Sequence, residues 1–377
     1  MKAVIAAGGT AGHINPALAV ANEIMKNENG SEIVFIGRED GMEKKLVEQA
    51  SYRLMPLETH GFMRKLSFEA VAQNFNAVRC AILGQIKCGR FFKEFKPDIV
   101  IGCGGYVSGP VVEKAAKMGI KTVIQEQNSF PGITTKLLSK RVDKIFVANA
   151  EAAERIGFPE KCIVAGNPVR AEFFTANRAE IRKKWGIGDK VCVLSFGGSL
   201  GARTINEISA KLMRLNKDRN DVYHIHAMGQ YATESFPKLI EEYGVNINRN
   251  IRAEEFITDM PECFAAADII ISRSGAITIS EIAAAGRASV LIPSPNVTEN
   301  HQYYNALTLV NVDAALVYEE KNIDTDEVAK EIFDLINDRQ RLKLMGVNAR
   351  SLAIPNTAGR IYEGVVKLIN LTGEKTR

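Results

Sequence analysis

The chain has 377 residues, 46% of them apolar and 24% charged, with 48 Lys and Arg against 44 Asp and Glu and a net charge of +4. At ~100–200 residues per domain this length fits two domains, and the composition excludes wholesale disorder. The charge bias is too small to argue for a nucleic-acid partner, and no apolar run approaches the ~20 residues that span a bilayer.

The N-terminal apolar stretch AVIAA stops at Gly8-Gly9, too short for the core of a signal peptide, which points to the cytoplasm. The six cysteines are scattered without a CxxC pair. That spacing predicts reduced structural thiols and offers neither a disulfide framework nor a zinc motif.

Residues 2–7 read as a short buried strand, followed by a glycine turn and a helix whose inner face carries Ala17, Leu18, Val20, Ala21 and Ile24. EIVFIG (32–37) reads as a second strand. The pattern recurs in PDIVIGCGGYVSGPVVEKAAKMG, in KTVIQEQNS (121–129) and in DKIFVAN (143–149). Strands alternating with helices predict βαβ units, a parallel sheet and a doubly wound α/β domain. The pattern then restarts. DKVCVLSFGGSLGARTINEISAKLM (189–213) matches the N-terminus, with Gly8, Gly9 and Gly12 aligned to Gly197, Gly198 and Gly201. Short strands follow in VYHIHAMG, IRAEEFI, DIIISRSG, ASVLIPS and AALVY. CIVAGNPVRAEFF (162–174) has no regular period and reads as the join. The tail is an amphipathic helix with Ile361, Val365, Leu368 and Ile369 on one side.

A strand that ends in glycines and runs into a helix brings backbone N–H groups, and the positive helix end, to a bound anion. Four such loops, at 8–12, 102–105, 197–201 and 272–278, favour a nucleotide or diphosphate ligand. None is GxxxxGK[ST], which argues against a P-loop NTPase. The first loop lacks the leading glycine of GxGxxG. Glu39-Asp40 after the second strand keeps an NAD- or flavin-dependent oxidoreductase open as an alternative.

His13 follows the first glycine loop at a helix N-terminus, where the dipole disfavours its imidazolium and suits it to accept a proton. Capping the helix or contacting a phosphate are its blander roles. Arg170, in the join, has the reach for a diphosphate or a surface salt bridge. Glu281, six residues past Gly275, is a ribose ligand or an exposed helix glutamate. Residues 62–96 place Phe68, Val71, Ala72, Phe75, Val78 and Ile82 at helical spacing, with seven Lys/Arg (64, 65, 79, 87, 90, 93, 96) against two Glu, a local net of 7 − 2 = +5. That pattern fits either an anionic membrane surface or a core helix with a solvated basic face.

Eight blocks in order (GGTAGHINPALAVA, GCGGYVSGP, QEQNSFPG, AGNPVR, FGGSLGARTIN, EEFITDM, SRSGAITISEIAAAG and ENHQYYNA) resemble the MurG family over nearly the full length. These are the UDP-N-acetylglucosamine transferases that convert lipid I to lipid II in bacterial peptidoglycan synthesis. The resemblance implies two doubly wound Rossmann-like domains facing across a cleft, the GT-B architecture. Residues 1–165, rejoined by the C-terminal helix 356–377, would form the acceptor-binding, membrane-facing domain. Residues 166–355 would bind the UDP-sugar.

By motif match, Ser199 and its loop would meet the diphosphate, Arg170 would contact the donor, Ile257 would offer backbone to uracil, Glu281 would bind ribose hydroxyls and Gln302 would contact the sugar. Thr10, Ala11, Gly12 and Asn128 would complete the donor site. Gly9, Gly12, Gly104 and Gly105 would form the acceptor diphosphate loops, with His13 as general base. The basic helix then becomes the membrane contact, through Phe68, Phe75, Ile82, Arg79 and Lys87.

The reaction implied is inverting transfer to the 4-hydroxyl of the N-acetylmuramyl residue of lipid I, without cofactor or obligatory divalent cation. It would take place at the cytoplasmic face of the cell membrane, among cell-wall synthesis proteins. Two positions depart from the family pattern. Ala11 replaces a glycine, which is tolerable only if its φ is negative, and Gln125 replaces a histidine, which shifts proton transfer to His13. A UDP-N-acetylglucosamine 2-epimerase, another GT-B glycolipid glycosyltransferase and a non-catalytic membrane-docked binding subunit are the remaining readings.

Overall fold

The computed structural model describes residues 1–61 and 68–373. The chain divides into two compact units, Met1–Pro168 with Asn356–Arg377, and Val169–Pro355. The boundary thus falls after Pro168 rather than after residue 165.

The first unit is built on seven strands: β1 (Lys2–Ala6), β2 (Glu32–Gly37), β3 (Arg53–Pro56), β4 (Ile99–Gly102), β5 (Lys121–Glu126), β6 (Lys144–Val147) and β7 (Cys162–Val164). All pair in parallel, in the order β3-β2-β1-β4-β5-β6-β7. The central strands read as continuous apolar runs because helices cover both faces. Val4 and Ala6 point into one core layer with Phe92, Val111 and Val112, and Ala3 and Ile5 into the other with Ile14, Ala17, Val20 and Ile24. That second layer is completed by the helix Thr357–Gly373. Its Ile361 and Val365 are fully buried there, and Leu368 and Ile369 pack alongside. The Tyr362 hydroxyl donates to Glu28 Oε1 at 2.8 Å.

The second unit repeats the plan with six strands: β8 (Val191–Phe196), β9 (Val222–Ala227), β10 (Ile251–Glu254), β11 (Ile269–Ser272), β12 (Ala288–Leu291) and β13 (Ala315–Val317). Their order is β10-β9-β8-β11-β12-β13, again parallel throughout.

The join is more regular than its sequence suggests. Residues 162–164 form the edge strand β7, and Glu172–Thr175 is a short helix. Among the described residues, no helix is long and apolar enough to cross a membrane.

Candidate active site

In each sheet the chain winds one way from a central strand and the other way from that strand's neighbour. The reversal lies between β1 and β4 in the first unit and between β8 and β11 in the second. Ligands of open α/β sheets bind beyond the carboxyl ends of the strands at this point. All four glycine loops emerge there.

In the first unit, the loop after β4 packs against the loop after β1 with no room for side chains. Gly104 and Gly105 hold φ of +98° and +77°, and a methyl on Gly105 would sit 2.3 Å from the Gly8 carbonyl oxygen. A methyl on Gly104 would meet the His13 ring at 2.5 Å. Ser108 fastens the two strand ends, its hydroxyl lying between two acceptors, 2.9 Å from Ala6 O and 2.7 Å from Gly104 O.

The helix Ala11–Asn27 starts directly after Thr10, whose side chain makes no cap, so its first N–H groups face outward. Gly9, Thr10 and Gly12 are exposed. Ala11 lies in the helical region with no positive φ, so its methyl adds no backbone strain. A methyl at Gly12 would find only ordinary contact, 3.5 Å from Thr10 Oγ1.

His13 Nδ1 lies 3.0 Å from the Gly8 carbonyl oxygen and 3.3 Å from Thr10 Oγ1. The carbonyl can only accept, so Nδ1 carries the proton and Nε2 the lone pair.

Glu43 was not singled out from sequence. Its buried carboxylate accepts from the backbone N–H of Arg38 at 3.0 Å and faces that of Gly9 at 3.4 Å, so it braces the first loop from behind. Glu39 and Asp40 do not resemble a ribose-binding pair. Asp40 is held by Arg38 at 2.7 Å and Glu39 by Lys44 at 3.4 Å, in an exposed turn. This removes the observation that favoured a dinucleotide enzyme.

The QEQN block at the end of β5 is a buried amide network. Gln125 donates to Asn167 Oδ1 at 3.1 Å, and Gln127 donates to Cys103 O at 2.8 Å and to the Gln125 side-chain oxygen. Asn167 returns a bond to Gln127 O at 3.0 Å. Gln125 is therefore a structural position in this chain. Glu126 accepts from the backbone and side-chain N–H groups of Asn128 at 3.0 and 3.1 Å and so orients it.

In the second unit, Gly197 and Gly201 permit the approach of their neighbours. A methyl on Gly197 would lie 2.3 Å from Ala202 N, and one on Gly201 the same distance from Met228 O. Gly229, which sequence reasoning passed over, meets Gly201 from the other side with φ of +80°. Ser199 stands exposed at the tip of the loop. The helix Arg203–Leu215 begins beyond it without a side-chain cap, and the helix Ala276–Ala285 likewise follows Gly275 uncapped. Each presents the positive end of a helix dipole.

Glu281 lies deep in this unit with only part of its surface accessible. Desolvation pushes its carboxyl up to about 7, and Arg170 opposes that shift. Arg170 is exposed and lies over the Phe173 ring at 5.3 Å. Gln302 Oε1 accepts from Ser294 N at 2.8 Å. The Ile257 side chain is buried in the core while its neighbour Phe256 is 60% exposed. The second unit thus carries Arg170, Ser199, Ile257, Glu281 and Gln302, and the first carries Thr10, Ala11, Gly12, His13 and Asn128.

Two family models account for most of the chain: the glycosyltransferase family 28 N-terminal domain over residues 3–147 and the family 28 C-terminal domain over residues 192–360. The chain belongs to glycosyltransferase family 28.

Within the family it is 43% identical over 364 residues to the UDP-N-acetylglucosamine–N-acetylmuramyl-(pentapeptide) pyrophosphoryl-undecaprenol N-acetylglucosamine transferase of Acetivibrio thermocellus, covering 96% of this chain and 97% of that protein. The enzyme of the same name from Bacillus subtilis is 40% identical over 370 residues, covering 98% and 99%. Among solved structures, Acinetobacter baumannii MurG matches with a TM-score of 0.78 and 29% identity over 97% of this chain and 99% of that one. A family 28 chain with two doubly wound sheets has the GT-B pattern. The S. aureus MnaA–UDP structure shares that fold at a TM-score of 0.68 and 14% identity, covering 98% of each chain.

Proposed function

We propose that this chain is an inverting glycosyltransferase that moves N-acetylglucosamine from UDP-N-acetylglucosamine to the 4-hydroxyl of the N-acetylmuramyl residue of lipid I, giving lipid II. What carries the reading is the repeated glycine-loop geometry at both chain reversals, in a chain 43% identical to an enzyme named for this transfer.

Inversion takes one in-line displacement. His13 Nε2 removes the proton of the attacking hydroxyl as the bond to the anomeric carbon forms. The leaving UDP gathers negative charge, which the N-terminus of Arg203–Leu215, the loop around Ser199 and the guanidinium of Arg170 stabilise. Preorganised dipoles of this kind are often the largest catalytic contribution, so the reaction as read needs no divalent cation. Glu281 accepts from the ribose hydroxyls, Ile257 offers its backbone to uracil, and Gln302 turns its amide N–H groups to the sugar. Thr10, Ala11, Gly12 and Asn128 complete the donor contacts, and Gly9, Gly12, Gly104 and Gly105 line the acceptor diphosphate.

The acceptor is a lipid, so the enzyme works at a membrane surface. The helix Phe68–Phe95 supports this role. Val71, Phe75, Val78, Ile82 and Ile86 form a helical stripe, and Phe75 is 74% and Ile82 56% exposed, while Ala77, Cys80, Cys88 and Phe92 face inward. Exposed Arg79 and Lys87 flank the stripe, and Lys87 also donates to Pro56 O. Such a stripe rimmed by cations suits the anionic cytoplasmic leaflet. Arg64, Lys65 and the side chains of Phe68 and Ala72 lie outside the described residues.

The test is UDP release from UDP-N-acetylglucosamine, with and without a soluble lipid I analogue, by wild-type and His13→Ala protein. Acceptor-dependent release that falls by ~10²–10⁴-fold in the variant with donor affinity unchanged is expected. Release without acceptor would instead indicate an epimerase or hydrolase. Donor binding without any release would indicate a binding subunit.

A further inference from the structure

The segment after β3 and the helix Phe68–Phe95 bring three different metal-ligating side chains together. Glu58 Oε1 lies 3.1 Å from His60 Nε2. One ligand atom from each of Glu58, His60 and Cys80 lies within 4.8 Å of the other two. Cys80 is buried at 4% exposure, His60 is half-buried and Glu58 is exposed, so the cluster has a closed side and a solvent side.

We infer that Glu58, His60 and Cys80 form a binding site for one Zn2+ ion, independent of the transfer chemistry. A sulfur, an imidazole nitrogen and a carboxylate oxygen are the donor set of borderline-soft zinc, whereas magnesium and calcium take oxygen ligands. Metal–ligand lengths of about 2.0–2.3 Å in a tetrahedron hold the donor atoms roughly 3.3–3.8 Å apart. Closing the observed spread of up to 4.8 Å onto that spacing takes shifts of about 1 Å, which rotation of the Glu58 and His60 side chains supplies. A water on the solvent side supplies the fourth ligand. On binding, the Cys80 S–H bond breaks, its proton passes to the buffer and an S–Zn bond forms. His60 binds as neutral imidazole and Glu58 as carboxylate.

The sequence carries no zinc spacing because two ligands sit two residues apart on the segment after β3 and the third comes twenty positions later, on a helix. Folding, not spacing, assembles the set. The ion would staple the segment after β3 to the helix that carries the exposed apolar stripe. Gly61, beside His60, lies so close to the Tyr106 ring that a methyl there would be 2.7 Å from it, and Tyr106 follows Gly105 directly. The staple therefore borders the acceptor loop without touching the reacting atoms.

The test uses full-length protein stripped of metal and titrated with Zn2+ by calorimetry and with Co2+ by absorbance. One equivalent should bind, with a thiolate-to-cobalt charge-transfer band in the near ultraviolet. Zn2+ should also protect Cys80 from alkylation, read by mass spectrometry. His60→Ala and Cys80→Ser should each weaken binding by at least about ten-fold, and Cys80→Ser should abolish the band. Glu58→Gln, an exposed change that leaves the fold intact, should weaken Zn2+ binding as well. Absence of a stoichiometric site, or a band that survives in Cys80→Ser, overturns the assignment.

Discussion

His13 Nδ1 and the Gly8 carbonyl oxygen stand 3.0 Å apart, joining the first turn of a helix to the end of the strand that feeds it. The contact sets the tautomer and leaves the basic lone pair on Nε2. Asparagine can keep a donor near Gly8 O but has no base to offer. His13→Asn should therefore retain the thermal stability of the wild type and lose turnover by about the 10²–10⁴-fold typical of general-base catalysis. A stable variant with near wild-type turnover would remove His13 from the proton transfer.

Glu281 carries a second test. Its carboxyl is pushed up to about 7 by desolvation, against the pull of Arg170. Ribose hydroxyls donate to the ionised form, so donor binding favours deprotonation. Affinity for UDP-N-acetylglucosamine should improve as pH rises from about 6 to about 8, by at most ~10-fold per unit below the carboxyl pKa. Glu281→Gln should weaken binding by roughly 10–100-fold, the loss expected for hydrogen bonds to a charged group, and flatten the pH dependence. Calorimetric titration of the donor across that range reads both.

The exposed stripe predicts a separable defect. Phe75→Ser/Ile82→Ser should reduce binding to vesicles containing anionic lipid by at least about ten-fold, because burying each side chain fully contributes ~1.5–3 kcal/mol. Turnover on a soluble lipid I analogue should stay unchanged. Co-sedimentation with vesicles, beside the UDP-release assay, separates the two. Equal vesicle binding by variant and parent would exclude the stripe as the contact.

Acid should unlock the second unit through β9. His224 and His226 are fully enclosed, and each Nε2 is without a hydrogen-bond partner among the described residues. Desolvation lowers His224 to about 4, helped by Arg219, and lowers His226 to about 3, helped by His224 and opposed by the bond to Ser195. The unfolded chain takes up these protons near the ordinary value of 6.5, the folded chain only far below it. Stability is therefore full above about 6.5 and falls as pH drops toward 3, at up to ~1.4 kcal/mol per pH unit for each histidine. Urea midpoints at a series of pH values should show this slope, and His224→Val/His226→Phe should reduce it.

The sequence displayed the strands whose flanking helices bury both faces, and the four glycine turns, because parallel-sheet cores impose long apolar runs and close backbone approach imposes glycine. It hid β3 and β7, which sit at the edges of their sheet. Arg53 and Val164 are exposed there, so the apolar signal is diluted over very short segments. It also hid Glu43, one of two glutamates in MEKKLVEQ. Only tertiary packing distinguishes it, by turning it inward to two backbone N–H groups. Gly229 was silent for a similar reason. Its requirement comes from Gly201, far away along the chain. Conversely, Glu39 and Asp40 looked functional in sequence and are occupied by Arg38 and Lys44.

The helix Thr357–Gly373 has a consequence for how the molecule is made. Its Ile361 and Val365 complete a core layer whose other members include Ala3 and Ile5 of β1, Ile33 and Phe35 of β2 and Ile14, Ala17 and Val20 of the helix Ala11–Asn27, all made before the second unit. The second unit, by contrast, is one uninterrupted stretch from Val169 to Pro355. During synthesis it is the second unit that can finish first. The first sheet must wait, with Ile14, Ala17 and Val20 incompletely covered, until Thr357–Gly373 has followed the second unit out.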